Sequence, residues 1–350
     1  MPTFTHAQLH DVAHRILTAA GVPDEHAGVV AAELAEANLV GHDSHGVMRL
    51  VQYAKFLDDG HVDPHGGFDV DAQAAGFAVV DGRRQFGQVT ATKALEVGID
   101  GATRGGAFTV MIRNCNHVGR LGSYTEKAAR RGFAALLAVN APGPGGVAPF
   151  GGIDRRLGTN PISLAAPFGN GAIVLDMTTS VTAEGKVRVA FQKGVPLPEG
   201  MIVDHAGRPS TNPADLYGPP PGAILPLGGV MAHKGFGLAA MIDVFAGILS
   251  GSGIARTDLP PGANGVWMAF LDVSQFLPRA EYDAMIERYA AYLKSSRRQP
   301  GVEEILLPGE IEQRRRAERE AAGVEIPDET WRQLTELATR LGASLNDSEK

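Results

Sequence analysis

The run Phe133-Ala134-Ala135-Leu136-Leu137-Ala138-Val139 is followed by Gly143-Pro144-Gly145-Gly146-Val147-Ala148, and the reading of this stretch decides the fold. The apolar run predicts a strand, and the glycines match the loose form of a phosphate-binding turn that opens a helix. The next residues do not suit a helix. Pro149, Phe150, Gly151 and Gly152 occupy its first turn, and prolines flank the motif. The stretch is therefore read as the glycine-rich wall of a pocket and not as a Rossmann turn. Gly185-Lys186 likewise fails as a phosphate loop, because Ser180 stands where its first glycine is required.

Outward from this stretch, short apolar runs broken by glycine predict further strands at 76–80, 107–112, 162–166, 172–175 and 266–271. Helical segments at about 88–103, 121–131 and 231–249 alternate with some of them, so the middle of the chain is expected to be α/β. The first sixty or so residues predict three helices: one opened by the capping pair Thr5 and Gln8, a second from Pro23-Asp24, and a third from Asp43 or Ser44 to Gly60. Near the other end, Tyr282, Met285, Ile286, Tyr289 and Leu293 repeat at helical spacing, as do Trp331, Leu334, Leu337 and Leu341. A small helical unit needs a surface to cover its apolar face. The expected layout is a discontinuous helical domain (1–65 and 276–350) around an α/β domain (66–275).

The 350 residues are 44% hydrophobic and 20% charged, enough to bury a large core. The net charge of -7, with Arg314-Arg315-Arg316 as the only basic block, argues against nucleic acid. That block is read as a solvated helix face, with contact to a ribose phosphate as the alternative. Cys115 is the single cysteine, which excludes an intrachain disulfide and a multi-cysteine metal site. The amino terminus has no basic segment leading into an apolar one, and no apolar run approaches membrane-spanning length. A cytoplasmic location is the expectation.

Chemistry concentrates in Gly41-His42-Asp43-Ser44-His45-Gly46-Val47-Met48-Arg49. If Ser44 onward is helical, His45 and Arg49 share a face. A guanidinium grips a carboxylate with two prongs, and a nearby imidazole can exchange a proton with the oxygen on the next carbon. The competing reading is a wet polar face. A second imidazole, His117, follows a strand in Asn116-His117-Val118-Gly119, either as a catalytic group or as a hydrogen-bonded turn residue. Met231-Ala232-His233-Lys234-Gly235-Phe236-Gly237 opens a helix whose free amides, glycines and Lys234 suit an anion, unless the glycines only permit close packing. No third ligand completes a metal spacing near His42 and His45.

Taken together these pieces resemble the malate/L-lactate dehydrogenase family, a group distinct from the Rossmann-type enzymes. The carriers are the Gly41–Val47 stretch with Arg49 and Tyr53, Asn116-His117-Val118-Gly119 with Gly122, Val147-Ala148-Pro149 with Gly151-Gly152, and Gly158-Thr159-Asn160-Pro161. Further on are Leu175-Asp176-Met177, Gly185-Lys186, Pro196-Leu197-Pro198-Glu199-Gly200, Leu225-Pro226-Leu227-Gly228-Gly229, His233–Leu238 and Leu307-Pro308-Gly309-Glu310. The resemblance implies a homodimer binding NAD or NADP on a non-Rossmann α/β fold. It implies that His45 and His117 exchange the proton and that Arg49 holds the substrate carboxylate, with Ser44, Thr159 and Asn160 lining the pocket. Asn140, Asp176, Met177, Thr178, Lys186, His233, Lys234, Gly309 and Glu310 fall where the family contacts the dinucleotide.

One departure is Gly265-Val266-Trp267, where members often carry Gly-His; another is the unusual wall Pro142–Gly146. The resemblance leaves open a 2-hydroxy acid dehydrogenase of malate or lactate type and a cyclic imine carboxylate reductase. From other classes, a metal-dependent hydrolase or lyase using His42, Asp43, His45 and His117, or a non-catalytic binding protein, also stands.

Overall fold

A computed structural model describes residues 1–256 and 262–345. Residues 257–261, within the expected α/β domain, and 346–350, at the end of the expected helical domain, lie outside the described residues. The amino-terminal part runs β1 (Thr3–Phe4), α1 (His6–Ala19), α2 (Asp24–Leu39), two 3-10 turns (Asp43–His45 and Val47–Arg49) and α3 (Leu50–Asp58). Then come β2 (Asp69–Ala74), β3 (Phe77–Asp81), α4 (Gly87–Gly105), β4 (Ala107–Asn116), α5 (Leu121–Arg130), β5 (Phe133–Asn140), β6 (Ile162–Phe168) and β7 (Gly171–Met177). Next are α6 (Glu184–Lys193), β8 (Ile202–Val203), β9 (Pro209–Ser210), β10 (Ala223–Ile224) and α7 (Ala232–Ile242), which continues as a π-helix over Asp243–Ile248. The chain closes with β11 (Ala263–Asp272), α8 (Val273–Phe276), α9 (Arg279–Lys294), α10 (Glu310–Ala322), β12 (Val324–Glu325) and α11 (Asp328–Leu341).

The centre is a seven-stranded mixed sheet ordered β2-β3-β4-β11-β5-β6-β7. Its β3–β4 pair is parallel, and its other neighbours run antiparallel. The middle is α/β, as expected. The glycine-rich stretch after β5 forms no helix. Val147 instead bridges Leu157 and Ile224, and Ala148 N donates to Ile224 O at 3.0 Å, so the backbone is spent on a wall. Alternating residues of β3, β4, β5 and β11 bury one sheet face under α4 and α5, with Val110, Ile112, Leu137 and Met268 among the fully enclosed side chains.

The amino-terminal helices form as their caps predict. Thr5 Oγ1 accepts from Gln8 N at 3.2 Å while Gln8 Oε1 accepts from Thr5 N at 2.8 Å, closing a capping box. Their apolar faces meet Val324, Ile326, Leu334 and Leu337 from the carboxyl end, and β1 pairs with β12. The Tyr282–Leu293 repeat goes elsewhere. α9 lies along β6, where Tyr282 Oη donates to Pro167 O at 3.0 Å, and it leaves Met285 and Tyr289 at least half exposed. It starts directly behind α8 at the end of β11, so the chain holds it beside the sheet.

Two other expectations need correction. Helix α3 starts only at Leu50, because Gly46 is extended (φ -85°, ψ -159°) and splits the preceding segment into two short turns. The Asn38 side chain enforces this: its Oδ1 accepts from Val47 N at 2.8 Å, and a Cβ on Gly46 would come within 2.1 Å of the same oxygen. An apolar helical run also exists, contrary to the sequence reading: Gly229–Ile248 spans 20 residues with mean hydropathy 1.2. Ile242 and Ala246 pack it on β5 and β6, making it a partly buried core helix.

If α11 is an integral support, Leu334→Ala removes a fully buried contact between the two ends of the chain. We expect a loss of about 2–5 kcal/mol in urea unfolding, seen as a lower midpoint; an unchanged midpoint would show that α11 is dispensable.

Candidate active site

Two imidazoles from different parts of the chain meet where the amino-terminal helices cover the sheet. His45 arrives on the first 3-10 turn and His117 directly after β4. Their rings stack with centroids 5.5 Å apart and an interplanar angle of 14°. Gly87, at the start of α4, lets this helix press on the β4 loop, since a Cβ there would lie 2.1 Å from Asn116 O and 2.4 Å from His117 O. Asn116 Oδ1 accepts from His117 N at 2.8 Å and fixes the turn.

A buried chain of hydrogen bonds sets the state of His117. Gln88 Nε2 donates to the Tyr53 hydroxyl oxygen at 2.6 Å, so the hydroxyl hydrogen is free to bond His117 Nδ1 at 2.8 Å. Burial pushes the Tyr53 phenol up to about 12, which keeps that hydrogen in place. Nδ1 is thus an acceptor, and the ring hydrogen sits on Nε2. His45 Nδ1 lies 3.1 Å from Ser44 Oγ.

Both imidazoles are held neutral. Burial, then the charges of Arg49, His42 and Arg120, lowers His45 to about 3. His117 is also well below its ordinary value, again from burial first and then Arg49 and His45. Each ring is surrounded by protein on most sides yet keeps an open edge.

The i,i+4 face expected for His45 and Arg49 does not form, because Gly46 breaks the helix between them. Arg49 nevertheless stands beside both rings, as its effect on each shows. Its Nε donates to Ser44 O and its Nη1 to Gln52 Oε1, both at 2.6 Å. Nη2 has no hydrogen-bond partner among the described residues. The amino end of α6 closes this side, with Gly185 against Ser44 and with Glu184 and Arg188 acting on Arg49 with opposite signs.

The remaining residues fall into separate groups. Asp176, at the end of β7, accepts from Gly122 N at 2.7 Å and lies 3.7 Å from the buried Arg120 guanidinium. Gly309 packs on the same strand, where Val174 N donates to Pro308 O at 3.1 Å. Met177 is half-buried nearby, and Thr178 Oγ1 donates to Ser180 O. Thr159 O accepts from Thr179 N, and Thr179 O accepts from Leu227 N; Leu227 underlies Gly235 of α7. The Asn160 amide donates to Ala239 O at 2.9 Å, joining the same strand end to α7. His233 faces Phe150 at the exposed start of α7. The Lys186 and Lys234 ammonium groups have no ion-pair or hydrogen-bond partner among the described residues, which leaves both available to an anion.

Several side chains are already committed. The Asn140 amide donates to Gly253 O at 2.7 Å and to Asp243 Oδ1 at 3.2 Å, and its oxygen accepts from Gly265 N. Glu310 accepts from Lys294 Nζ at 2.6 Å and from Leu307 N at 2.7 Å. Arg314 pairs with Glu304, Arg315 with Glu318 of its own helix and Arg316 with Glu36 of α2, so the basic block is ion-paired and is more than a solvated face. His42 faces Glu312 and Asp43 faces Arg319, and no group of three or more His, Cys, Asp or Glu among the described residues converges as metal ligands. Sequence reading missed Asn38, Gln88, Arg120 and Arg319. The first three are buried polar residues whose partners lie elsewhere in the chain, so the sequence carried no local signal for them.

The profile of the malate/L-lactate dehydrogenase family matches residues 4–335. A malate dehydrogenase of Pyrococcus horikoshii is 37% identical over 336 residues, covering 94% of this chain and 92% of that one. A solved E. coli structure assigned to the malate/lactate dehydrogenases superposes with a TM-score of 0.93 at 33% identity, covering 100% of this chain and 98% of the other. A Δ1-piperideine-2-carboxylate reductase of Pseudomonas syringae pv. tomato reaches 0.84 at 30% identity, covering 97% and 100%. Fold and similarity together define a dehydrogenase of the malate/lactate type, an oxidoreductase of 2-hydroxy acids. The chain belongs to the malate/L-lactate dehydrogenase family, and membership implies a nicotinamide cofactor.

The lowered His45 makes a pH prediction. A folded-state value near 3 against an unfolded value near 6.5 means that the unfolded chain binds a proton first as pH falls. The associated stability is present above pH 6.5 and is lost between pH 6.5 and 3. Urea midpoints measured across this window should fall less steeply for His45→Gln than for the parent; equal slopes would contradict the assignment.

Proposed function

We propose that this dehydrogenase transfers a hydride between a nicotinamide and C2 of a small 2-hydroxy or 2-oxo acid, with His45, His117 and Arg49 as the catalytic residues. The observation that carries the reading is the stacked pair of neutral imidazoles beside one guanidinium with a free edge. Arg49 binds the carboxylate through its unpartnered Nη2, with Ser44, Thr159 and Asn160 shaping the pocket. The bound carboxylate cancels the charge that helps to hold both rings neutral, so their proton affinity rises when substrate is in place. His117, its hydrogen on Nε2, donates to the substrate oxygen and orients it. His45 takes the proton in oxidation and returns it in reduction. The two histidines thus divide orientation from proton exchange.

When bound, the nicotinamide supplies or accepts the hydride. The residues present suit a dinucleotide. Lys186 and Lys234 are cations without a partner among the described residues, His233 is exposed at the start of α7, and Asp176, Met177, Thr178 and Gly309 lie along β7. Asn140 and Glu310 act as supports, given their internal bonds. This layout is a non-Rossmann cofactor- and substrate-binding part over 66–275, served by helices from both ends of the chain, 1–65 and 276–350. A homodimer fits the apolar face that Val230, Met241, Ile248 and Leu249 leave exposed. Whether the substrate is a 2-oxo acid or a cyclic imine carboxylate is a choice of C2 partner atom, and similarity to the piperideine carboxylate reductase supports the imine as second reading.

The test is NADH and NADPH oxidation against a panel of 2-oxo acids and cyclic imines, with His45→Ala, His117→Ala and Arg49→Lys alongside. We expect turnover of 2-oxo acids and a fall in kcat/KM of roughly 10²-fold or more in each histidine variant. Arg49→Lys should raise KM, since an ammonium lacks the two-pronged grip. Turnover confined to imines would select the second reading, and consumption of neither cofactor would overturn both.

A further inference from the structure

Helix α10 lies across the back of the turn that carries Ser44 and His45; it holds the turn at two points and α2, which leads into it, at a third. Arg316 pairs with Glu36 on α2, and Glu312 meets His42 Nε2 at 3.4 Å. Arg319 makes the most extensive hold: it donates to Asp43 Oδ1 at 2.7 Å and Oδ2 at 3.0 Å, and its Nη1 also reaches Asn38 O. Asp43 Oδ1 in turn accepts from the Asn38 amide at 2.8 Å, and Asn38 Oδ1 accepts from Val47 N at 2.8 Å. One connected chain, Arg319–Asp43–Asn38–Val47, therefore spans both 3-10 turns and brackets His45.

Apart from the Arg49 Nε bond to Ser44 O, the His42 N bond to Ala37 O and the buried Val47 side chain, the turn is fixed by short-range backbone bonds. Its own backbone bonds are His45 N to His42 O, Gly46 N to Asp43 O and Arg49 N to Gly46 O, and neither 3-10 turn has a side-chain cap. Asp43 is half exposed, so the ion pair is worth little to global stability. Its leverage is geometric. With the guanidinium gone, Asp43 keeps only its bond from the Asn38 amide, and the Asn38 side chain that sets the Gly46 break is held through that one contact alone.

We propose that Arg319 is a positioning residue for the reaction: by clamping Asp43 and the Asn38 carbonyl it holds the His45–Arg49 turn in its reactive geometry. This rests on the reading of His45 and Arg49 as catalytic. Gly309 and Glu310 open the same helix on the β7 side, so α10 is a strut from the cofactor rim to the proton-exchanging turn.

The experiment compares the parent with Arg319→Gln, Arg319→Lys, Asp43→Asn and the double variant Arg319→Gln/Asp43→Asn, using Arg332→Gln on exposed α11 as control. Steady-state turnover, NADH binding by fluorescence and hydrogen exchange of the 40–50 segment are read for each. Arg319→Gln should lower kcat on the order of ten- to hundredfold, leave NADH affinity unchanged and speed exchange in 40–50. Arg319→Lys should fall between, the double variant should be no worse than either single one, and the control should match the parent. Unchanged kcat and exchange in Arg319→Gln would overturn the proposal, as would losses that merely follow the melting temperature. Should Arg319→Gln fail to fold, Asp43→Asn reads the same contact. A parent that turns over nothing would refute the catalytic reading instead, while the exchange data would still decide whether Arg319 orders the turn.

Discussion

The 2.8 Å hydrogen bond between the Tyr53 hydroxyl and His117 Nδ1 joins the amino-terminal helices to the sheet at the site itself. Tyr53 belongs to α3 of the helical cluster and His117 to the end of a sheet strand; Gln88, on the helix packed against that strand, completes the chain. With the Gln88 amide placed to donate to the phenol oxygen, the hydroxyl donates to Nδ1, and this arrangement puts the His117 hydrogen on Nε2. The rest of the site depends on that choice. An imidazole with its hydrogen on Nε2 is a donor through that atom, and it stacks on a second imidazole that burial, and then Arg49, keep neutral.

The fold supports this arrangement by bringing backbone close where side chains would intervene. Gly46 lies against Asn38, and Gly87 against the β4 loop, so each histidine is carried on a segment whose path is set by a neighbouring element. The mixed sheet contributes a row of strand ends. β4 delivers His117, β5 ends in the fully engaged Asn140, and β7 ends in Met177, one residue past Asp176. Charge is distributed in the same spirit: ion pairs occupy the arginines of α10, while Lys186 and Lys234 stay unpaired among the described residues. An acidic chain thereby keeps local cations for an anionic ligand.

Much of this was legible in the sequence where local rules dominate. The Thr5–Gln8 capping box, the strands with glycine boundaries and the failure of Gly143–Ala148 as a phosphate turn all stem from neighbouring residues, and all appear. Stretches decided by distant contacts were misread. The helix expected from Ser44 breaks at Gly46 because of Asn38, whose influence is invisible to helical periodicity. The Tyr282–Leu293 repeat correctly announced a helix, but not its partner, since periodicity gives a face and not the surface it meets. The histidines and Arg49 stood out as residue types. Gln88 and Arg319 did not, because their roles come from hydrogen bonds across long sequence separations.

The most direct measurement is the protonation state of the two imidazoles by ¹⁵N NMR of histidine-labelled protein at neutral pH, with His117→Gln and His45→Gln spectra for assignment. The account predicts two neutral rings in the site, with the His117 hydrogen on Nε2 and its Nδ1 bare and hydrogen-bonded. A His117 protonated on Nδ1, or an imidazolium at either position in the free enzyme, would contradict it.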